Sequence, residues 1–317
     1  MKMARLKYKW IVLVIVSITM LACDSESRDF GPNAISFGSN RRSIYKESLD
    51  NINAILWGYK GDDVIFDGVD ACLYETAETV NGCDIYIKSD TKYWSLGTYS
   101  FFSVSPKLGN ATVNDNIFEI TNFDISSQMD VVVAEPDPIV VDRLEYNVPV
   151  NLNYKHVFTK IKFKAQVNTG VGKITSFRIV VPKKASYTSA TDKWNVFSPT
   201  ETCELLFEPL GGKQISTTSQ LLDIAPNDAW LIFPSIVVDD AIFYEITYSV
   251  DDETQTQTGK LPALEDGGMS GVSYVYQLYI KTTGEIQFGD IIVNPWEQSI
   301  NAFNKYKQKK YKVENRT

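Results

Sequence analysis

Apolar residues along this chain come in short runs or at every second position. Lys160–Val167 shows the pattern most cleanly: Ile161, Phe163, Ala165 and Val167 fall on one face of an extended strand, and Lys160, Lys162, Lys164 and Gln166 on the other. Such a segment predicts one buried and one solvated face. Similar segments, rich in β-branched and aromatic residues, are predicted as strands over Ala34–Phe37, Ala54–Tyr59, Asp84–Lys88, Tyr99–Val104, Ile117–Ile120 and Met129–Ala134. The second half repeats the style over Val148–Tyr154, Phe158–Val167, Ile174–Val181, Trp194–Phe197, Ala229–Val237, Phe243–Val250, Tyr274–Lys281 and Asp290–Val293. Clusters of Gly, Pro, Asn and Asp separate them at intervals of roughly 8 to 15 residues, as in antiparallel sandwiches. No amphipathic helix of ordinary length is evident, and Ile44–Ile52 has the pattern for a turn or two. The chain is therefore expected to be all-β, because a parallel α/β sheet needs alternating long helices.

The front end breaks this pattern. Lys2, Arg5, Lys7 and Lys9 precede a run from Trp10 to Ala22 interrupted only by Ser17 and Thr19. Too short to cross about 30 Å of hydrocarbon as a stable helix, the run has the dimensions of a signal-peptide core. It ends at Met20-Leu21-Ala22-Cys23, and a small residue directly before cysteine at that place is similar to the lipobox of bacterial lipoproteins. That likeness implies that Cys23 is lipidated and begins the mature chain. Asp24–Asp29, short, polar and acidic, resembles a surface-export signal.

Charge sharpens the picture. The whole chain of 317 residues has 31 basic against 39 acidic side chains, a balance of −8. Residues 1–22 hold four basic and no acidic side chains, so their removal leaves 27 against 39, or −12. A body this acidic lacks the basic face that nucleic acid demands. On a membrane it would be held by acyl chains and not by attraction to anionic headgroups.

Candidate chemistry is sparse. His156 is the single histidine, which excludes His-rich metal sites and leaves any Ser/His/Asp unit to rest on it alone; a structural role is expected. The zincin, nucleophile-elbow, P-loop and dinucleotide motifs are all missing, Gly170-Val171-Gly172-Lys173 being the nearest approach. Asp62-Asp63 and Asp67-Gly68 lack the ligand alternation of a calcium loop. In Asp239-Asp240 and Asp251-Asp252-Glu253, adjacent carboxylates would point to opposite faces of a strand, unlike a glycosidase pair, and hairpin turns are expected there. No catalytic residue, metal or cofactor is expected. Cys72 and Cys83 flank a hairpin-sized interval and are candidates for a disulfide, leaving Cys203 as a buried thiol. Spacing alone does not settle that connectivity.

Several blocks together resemble the fimbrillin family, subunits of type V pili. Tyr93-Trp94 through Pro106 is similar to the family's tryptophan-then-aromatic strand ending at proline. Ser127-Gln128-Met129-Asp130-Val131-Val132-Val133-Ala134 resembles its segment closing the first domain, and Val150–Phe163, with His156, the strand pair opening the second. Gly172–Phe177, Gly271–Leu278 and Val293-Asn294-Pro295-Trp296 follow in family order. Trp94 and Trp296 are expected to pack in the core or between domains.

The resemblance implies two transthyretin-like antiparallel β-sandwich domains in tandem, a lipoprotein precursor on the outer membrane, and a fimbrial shaft, tip or anchor subunit acting in cell adhesion. Its partners would be other fimbrial subunits and a host or bacterial surface ligand. It also implies donor-strand exchange: a protease with trypsin-like specificity removes a first segment, and another subunit's strand takes its place by β-augmentation. Here Asn33–Gly38 supplies a strand with Ile35 and Phe37 on one face, followed by Arg41 and Arg42 as processing candidates, with Arg28 a second choice.

The expected organisation is a signal peptide over 1–22, a polar acidic linker over 23–33, sandwiches over 34–146 and 147–298, and a basic tail over 299–317. Lys305, Lys307, Lys309, Lys310, Lys312 and Arg316 stand against Glu314 alone in that tail, whose irregular apolar positions fit a solvated segment better than a donor strand. A different class is a monomeric carbohydrate-binding outer-membrane lipoprotein, which would present exposed tryptophans on one concave surface.

Overall fold

The computed structural model describes residues 33–40, 53–74, 82–196, 201–224, 228–236, 242–264 and 266–296. Cys23, Arg28, Arg41, Arg42, the turn expected over 44–52, Asp239-Asp240 and the basic tail lie outside the described residues. In chain order the strands are β1 (Phe37–Asn40), β2 (Asn53–Lys60), β3 (Asp63–Tyr74), β4 (Gly82–Ile87), β5 (Gly97–Ser105), β6 (Ala111–Asn114), β7 (Ile117–Asp124) and β8 (Val132–Ala134). There follow β9 (Ile139–Val141), β10 (Val150–Asn151), β11 (Lys155–His156), β12 (Thr159–Val167), β13 (Gly172–Pro182), β14 (Lys184–Thr188), β15 (Lys193–Asn195) and β16 (Thr202–Phe207). The remainder are β17 (Lys213–Ile215), β18 (Gln220–Leu221), β19 (Trp230–Ile232), β20 (Phe243–Val250), β21 (Glu253–Lys260), β22 (Val272–Ile280), β23 (Ile286–Phe288) and β24 (Ile292–Pro295). A single 3₁₀ turn, Ile125–Ser127, interrupts them among the described residues.

Four sheets result. The first runs β10-β1-β4-β3-β2-β5-β8-β11 with β9 on β5, and the second β15-β14-β7-β6. The third is β18-β12-β22-β23 with β19 and β24 alongside, and the fourth β16-β13-β20-β21 with β17 on β13. Pairing is antiparallel except for β1 with β10 and β12 with β22. The expected all-β class is what the chain adopts.

Alternation decides how the layers meet. On β2, Ile55 and Trp57 turn to one face and Ala54 and Leu56 to the other, and all four are buried, so the first sheet is covered on both sides. Its Trp57 meets Phe118 of the second sheet at 5.8 Å between centroids. In the other pair of sheets Phe163 and Phe177 meet edge to face at 4.7 Å. One apolar core runs continuously from Ile55 to Trp296 through both pairs, while Phe37, Phe66, Phe101, Trp94 and their neighbours form a smaller core on the far face of the first sheet.

Two features escape the apolar pattern. Asp67-Gly68, set aside as a calcium loop, is a bulge inside the twelve-residue β3: the register on β2 moves from Leu56↔Val69 to Gly58↔Phe66, and Gly68 takes φ +57°, a conformation glycine adopts without steric cost. β21, Glu-Thr-Gln-Thr-Gln-Thr-Gly-Lys, has no apolar residue, and among the described strands it pairs with β20 alone. Strand pairing also crosses the division expected after residue 146. β10 and β11 join the first sheet, and β14 of the second half pairs with β7 of the first. Alternation reports which face a residue turns, not which strand lies beside it.

The β3–β4 ladder also sets the backbone spacing of Cys72 and Cys83. In the β3–β4 ladder Cys72 stands opposite Tyr86, three positions from Cys83. That offset is about 10 Å along a strand, beyond the roughly 4.4–6.8 Å between Cα atoms that a disulfide spans. Cys203 is a free, half-buried thiol, pushed up to about 11 by burial.

Candidate functional site

Two places gather the residues singled out in the sequence. The first is β1 and the slot that holds it. β1 lies between β4, antiparallel, and the two-residue β10, parallel. Backbone bonds continue past its start: Ile35 N donates to Lys92 O at 2.8 Å, Trp94 N to Asn33 O at 2.9 Å, and Val150 N and Leu152 N to Ser36 O and Gly38 O, each at 2.8 Å. Ile35 and Phe37 are both buried, as their shared face requires. Phe37 sets its edge against Phe66 at 5.7 Å and Phe101 at 5.3 Å. The segment is thus an inner strand whose apolar side chains fill the slot between its neighbours, and β10 has no other partner among the described residues.

Beside the slot, Trp94 packs against Tyr99 at 4.8 Å and Tyr146 at 5.0 Å. Tyr154, between β10 and β11 in the chain, reaches β5 of the first sheet, where its hydroxyl shares a 2.7 Å hydrogen bond with Ser103, which donates in turn to Ile55 O at 2.9 Å. Buried, that phenol is pushed up to about 12.

The second place is the junction between the two pairs of sheets. Gln128 follows the 3₁₀ turn with φ +50°. Its side-chain oxygen accepts from Leu231 N at 2.7 Å, and its amide donates to Leu231 O at 3.0 Å and to Ile125 O at 2.9 Å. Two residues on, Asp130 places Oδ2 2.9 Å from Nδ1 of His156, close but not aligned as a hydrogen bond. His156, buried on β11, stacks on Trp296 at the end of β24. Trp194 closes the region, its ring nitrogen donating to Val157 O at 2.7 Å. These residues clamp segments together, and nothing in the arrangement resembles a nucleophile with a base. Gln128 and Asp130 were visible only as letters of a motif, and nothing in the sequence pointed to Leu231, whose backbone is what Gln128 reads.

Of the other sequence candidates, Asp251-Asp252 is indeed a hairpin turn. Trp57, Trp94, Trp194, Trp230 and Trp296 are all buried, so among the described residues no tryptophan platform for a sugar exists. No group of three or more His, Cys, Asp or Glu side chains among the described residues is disposed to hold a metal ion, and no described helix is long and apolar enough to cross a membrane.

No curated protein matches the sequence. The sequence pattern described as fimbrillin-like, however, matches residues 42–296, well over half of the chain. The chain belongs to the fimbrillin-like family. This fimbrillin-like fold is similar to a solved structure from Bacteroides uniformis, provisionally described as a cell adhesion protein, with 15% identity and a TM-score of 0.50 over 83% of this chain and 99% of that one. A Bacteroides ovatus structure of the same description has 14% identity and a TM-score of 0.49, covering 85% and 99%. The fimbrial anchor protein Mfa2 from Porphyromonas gingivalis has 7% identity and a TM-score of 0.37, covering 83% and 98%. Of these three, the Bacteroides uniformis likeness bears on the fold, and on the fold alone. Within the fimbrillin-like chain, blocks far apart in sequence meet at single contacts: Asp130 with His156, His156 with Trp296, and Ser103 with Tyr154.

Proposed function

We propose that this fimbrillin-like protein is a fimbrial subunit acting in cell adhesion, exported as a lipoprotein through Cys23 and assembled by strand exchange after proteolysis at Arg41 or Arg42. The observation that supports this reading is the position of β1. It is an inner strand, held by backbone bonds on both sides and by Ile35 and Phe37, and it ends at Asn40 just before the two arginines. Cutting there frees a segment whose loss bares the β4 edge and a slot lined by Phe66 and Phe101. An extended strand of another subunit, with apolar residues at alternate positions, fits that slot by β-augmentation. The acidic body is then tethered to the outer membrane by acyl chains until processing releases it. The role is structural and adhesive, not catalytic.

Mass spectrometry of the protein recovered from the cell surface tests this. Chains beginning at Arg42 or Ser43, in a ladder that collapses on heating, are the expected result. Chains beginning only at Cys23, with no ladder, would overturn the processing step.

A further inference from the structure

Sheet edges are where a β protein is open to other chains, and most edges here are short. β10, β11 and β18 have two residues each, β15 and β23 three, and β6 four, while β24 ends in Pro295. β21 differs. It runs for eight residues without proline or bulge, pairs only with β20 among the described residues, and carries charge only at its ends, Glu253 and Lys260. Long edges are ordinarily blunted by proline, a central lysine or a bulge. This one has none of the three.

The β20–β21 register fixes which groups face outward. Asp251 and Asp252 both have positive φ, 52° and 65°, the two-residue hairpin in which the flanking Val250 and Glu253 form a mutually hydrogen-bonded pair. Alternation from there turns the N–H and C=O of Gln255, Gln257 and Gly259 toward β20, and those of Thr254, Thr256, Thr258 and Lys260 toward solvent. Side chains divide in the same way. The threonines and Lys260 are exposed, while Gln255 accepts from the Tyr248 hydroxyl at 3.3 Å and Gln257 from Ile286 N at 3.1 Å.

We propose that β21 pairs antiparallel with β21 of a second copy about a two-fold axis through Thr256. Outward-facing residues can oppose only outward-facing ones, so the allowed registers step by two. Centred on Thr256, the pairing sets Thr254 against Thr258 of the partner subunit and, at each end, Lys260 against Asp252 of the partner subunit. Opposed threonines and opposed unlike charges are both favourable cross-strand pairs. Centring on Gln255 or Gln257 instead puts Lys260 against Val250 or Thr254 of the partner subunit and loses both charge pairs. The three opposed threonine pairs supply about six backbone hydrogen bonds. This lateral contact uses the fourth sheet, lies apart from β1 and its slot, and does not rest on the strand exchange proposed above.

Sedimentation equilibrium of the purified chain and four variants tests it. The parent is expected to dimerise with rising concentration. Thr256→Pro removes only an outward N–H, which an edge tolerates, and should sediment as a monomer with unchanged circular dichroism. Lys260→Glu, which leaves the backbone intact, should weaken the dimer about tenfold by turning two attractive pairs repulsive. Under oxidation Thr256→Cys should link two copies, since opposed Cα atoms of a hydrogen-bonded pair are about 5.5 Å apart. Thr258→Cys should not exceed the parent's baseline, because it would lie about four residues from its own counterpart, some 13 Å. A parent that stays monomeric at every attainable concentration, a folded Thr256→Pro chain that dimerises like the parent, or Thr258→Cys linking as readily as Thr256→Cys would overturn the proposal.

Discussion

The imidazole of His156 lies flat on the indole of Trp296, ring centroids 4.2 Å apart and planes 9° from parallel, with Lys160 Nζ 5.1 Å from the same indole. His156 sits on β11, which extends the first sheet through β8, whereas Trp296 directly follows β24 of the third. The stack therefore pins the first and third sheets together. Its walls belong to separate layers, so a hole left there cannot close by a shift of one of them. Trp296→Ala is expected to cost about 3–5 kcal/mol, and Trp296→Phe distinctly less, in urea denaturation. An alanine variant within about 1 kcal/mol of the parent would show the stack to be incidental.

Gln128 satisfies both backbone groups of Leu231 from 103 residues away. Gln128→Ala leaves a buried N–H and C=O without partners and should cost about 1–3 kcal/mol for each group that water cannot reach. Gln128→Glu keeps the acceptor for Leu231 N but opposes a carboxylate to two carbonyls, so it should be no better than alanine. Equal stability of the glutamate variant and the parent would contradict this geometry.

β1 and β10 should open together. Val150 N and Leu152 N donate to the carbonyls of Ser36, just before β1, and Gly38, within it, and β10 has no second neighbour among the described residues. Phe37→Ala, which empties the contact with Phe66 and Phe101, should therefore speed hydrogen exchange at Val150 and Leu152 while leaving β13 and β20 protected. Unchanged protection at Val150 and Leu152 would mean that β1 is not what holds them.

Alkaline pH should destabilise the fold. Burial holds the Tyr154 phenol up to about 12 against an ordinary value of 10.0, and it raises Tyr59, Tyr187, Tyr244, Tyr248 and Tyr276 as well. Above pH 10 the folded chain keeps protons that the unfolded chain has lost, so stability falls as pH rises. The Tyr154 contribution is complete below about pH 10 and is lost by about pH 12. Melting temperatures across this range, read with tyrosinate absorbance, check it. Tyr154→Phe should flatten the slope and cost only about 1 kcal/mol near neutrality, because Ser103 keeps Ile55 O as a partner.

Cysteine chemistry offers a further check. With the β3–β4 register as it stands, protein denatured without reductant should yield Cys72 and Cys83 as alkylatable thiols. In the native protein Cys203 should react slowly, its thiol being held up to about 11. A Cys72–Cys83 peptide in a non-reducing digest would require another register.

Much of this was legible beforehand. Alternation in Lys160–Val167 and its counterparts determined strands, their buried faces and the all-β class, because side chains in an extended backbone divide between two faces by local geometry. The same logic placed Ile35 and Phe37 on one face. Tertiary structure alone decided which strands became neighbours. It turned Asp67-Gly68 into a bulge, carried β10, β11 and β14 across the expected division, and set Cys72 out of register with Cys83. It also joined Gln128 to a backbone that carries no side-chain signal, and gave β21, without one apolar residue, a place at an open edge. The physical reason is common to all of these. The face a residue turns is written in its immediate neighbours, whereas its pairing partner is chosen by long-range packing and backbone hydrogen bonds that almost any side chain can accompany.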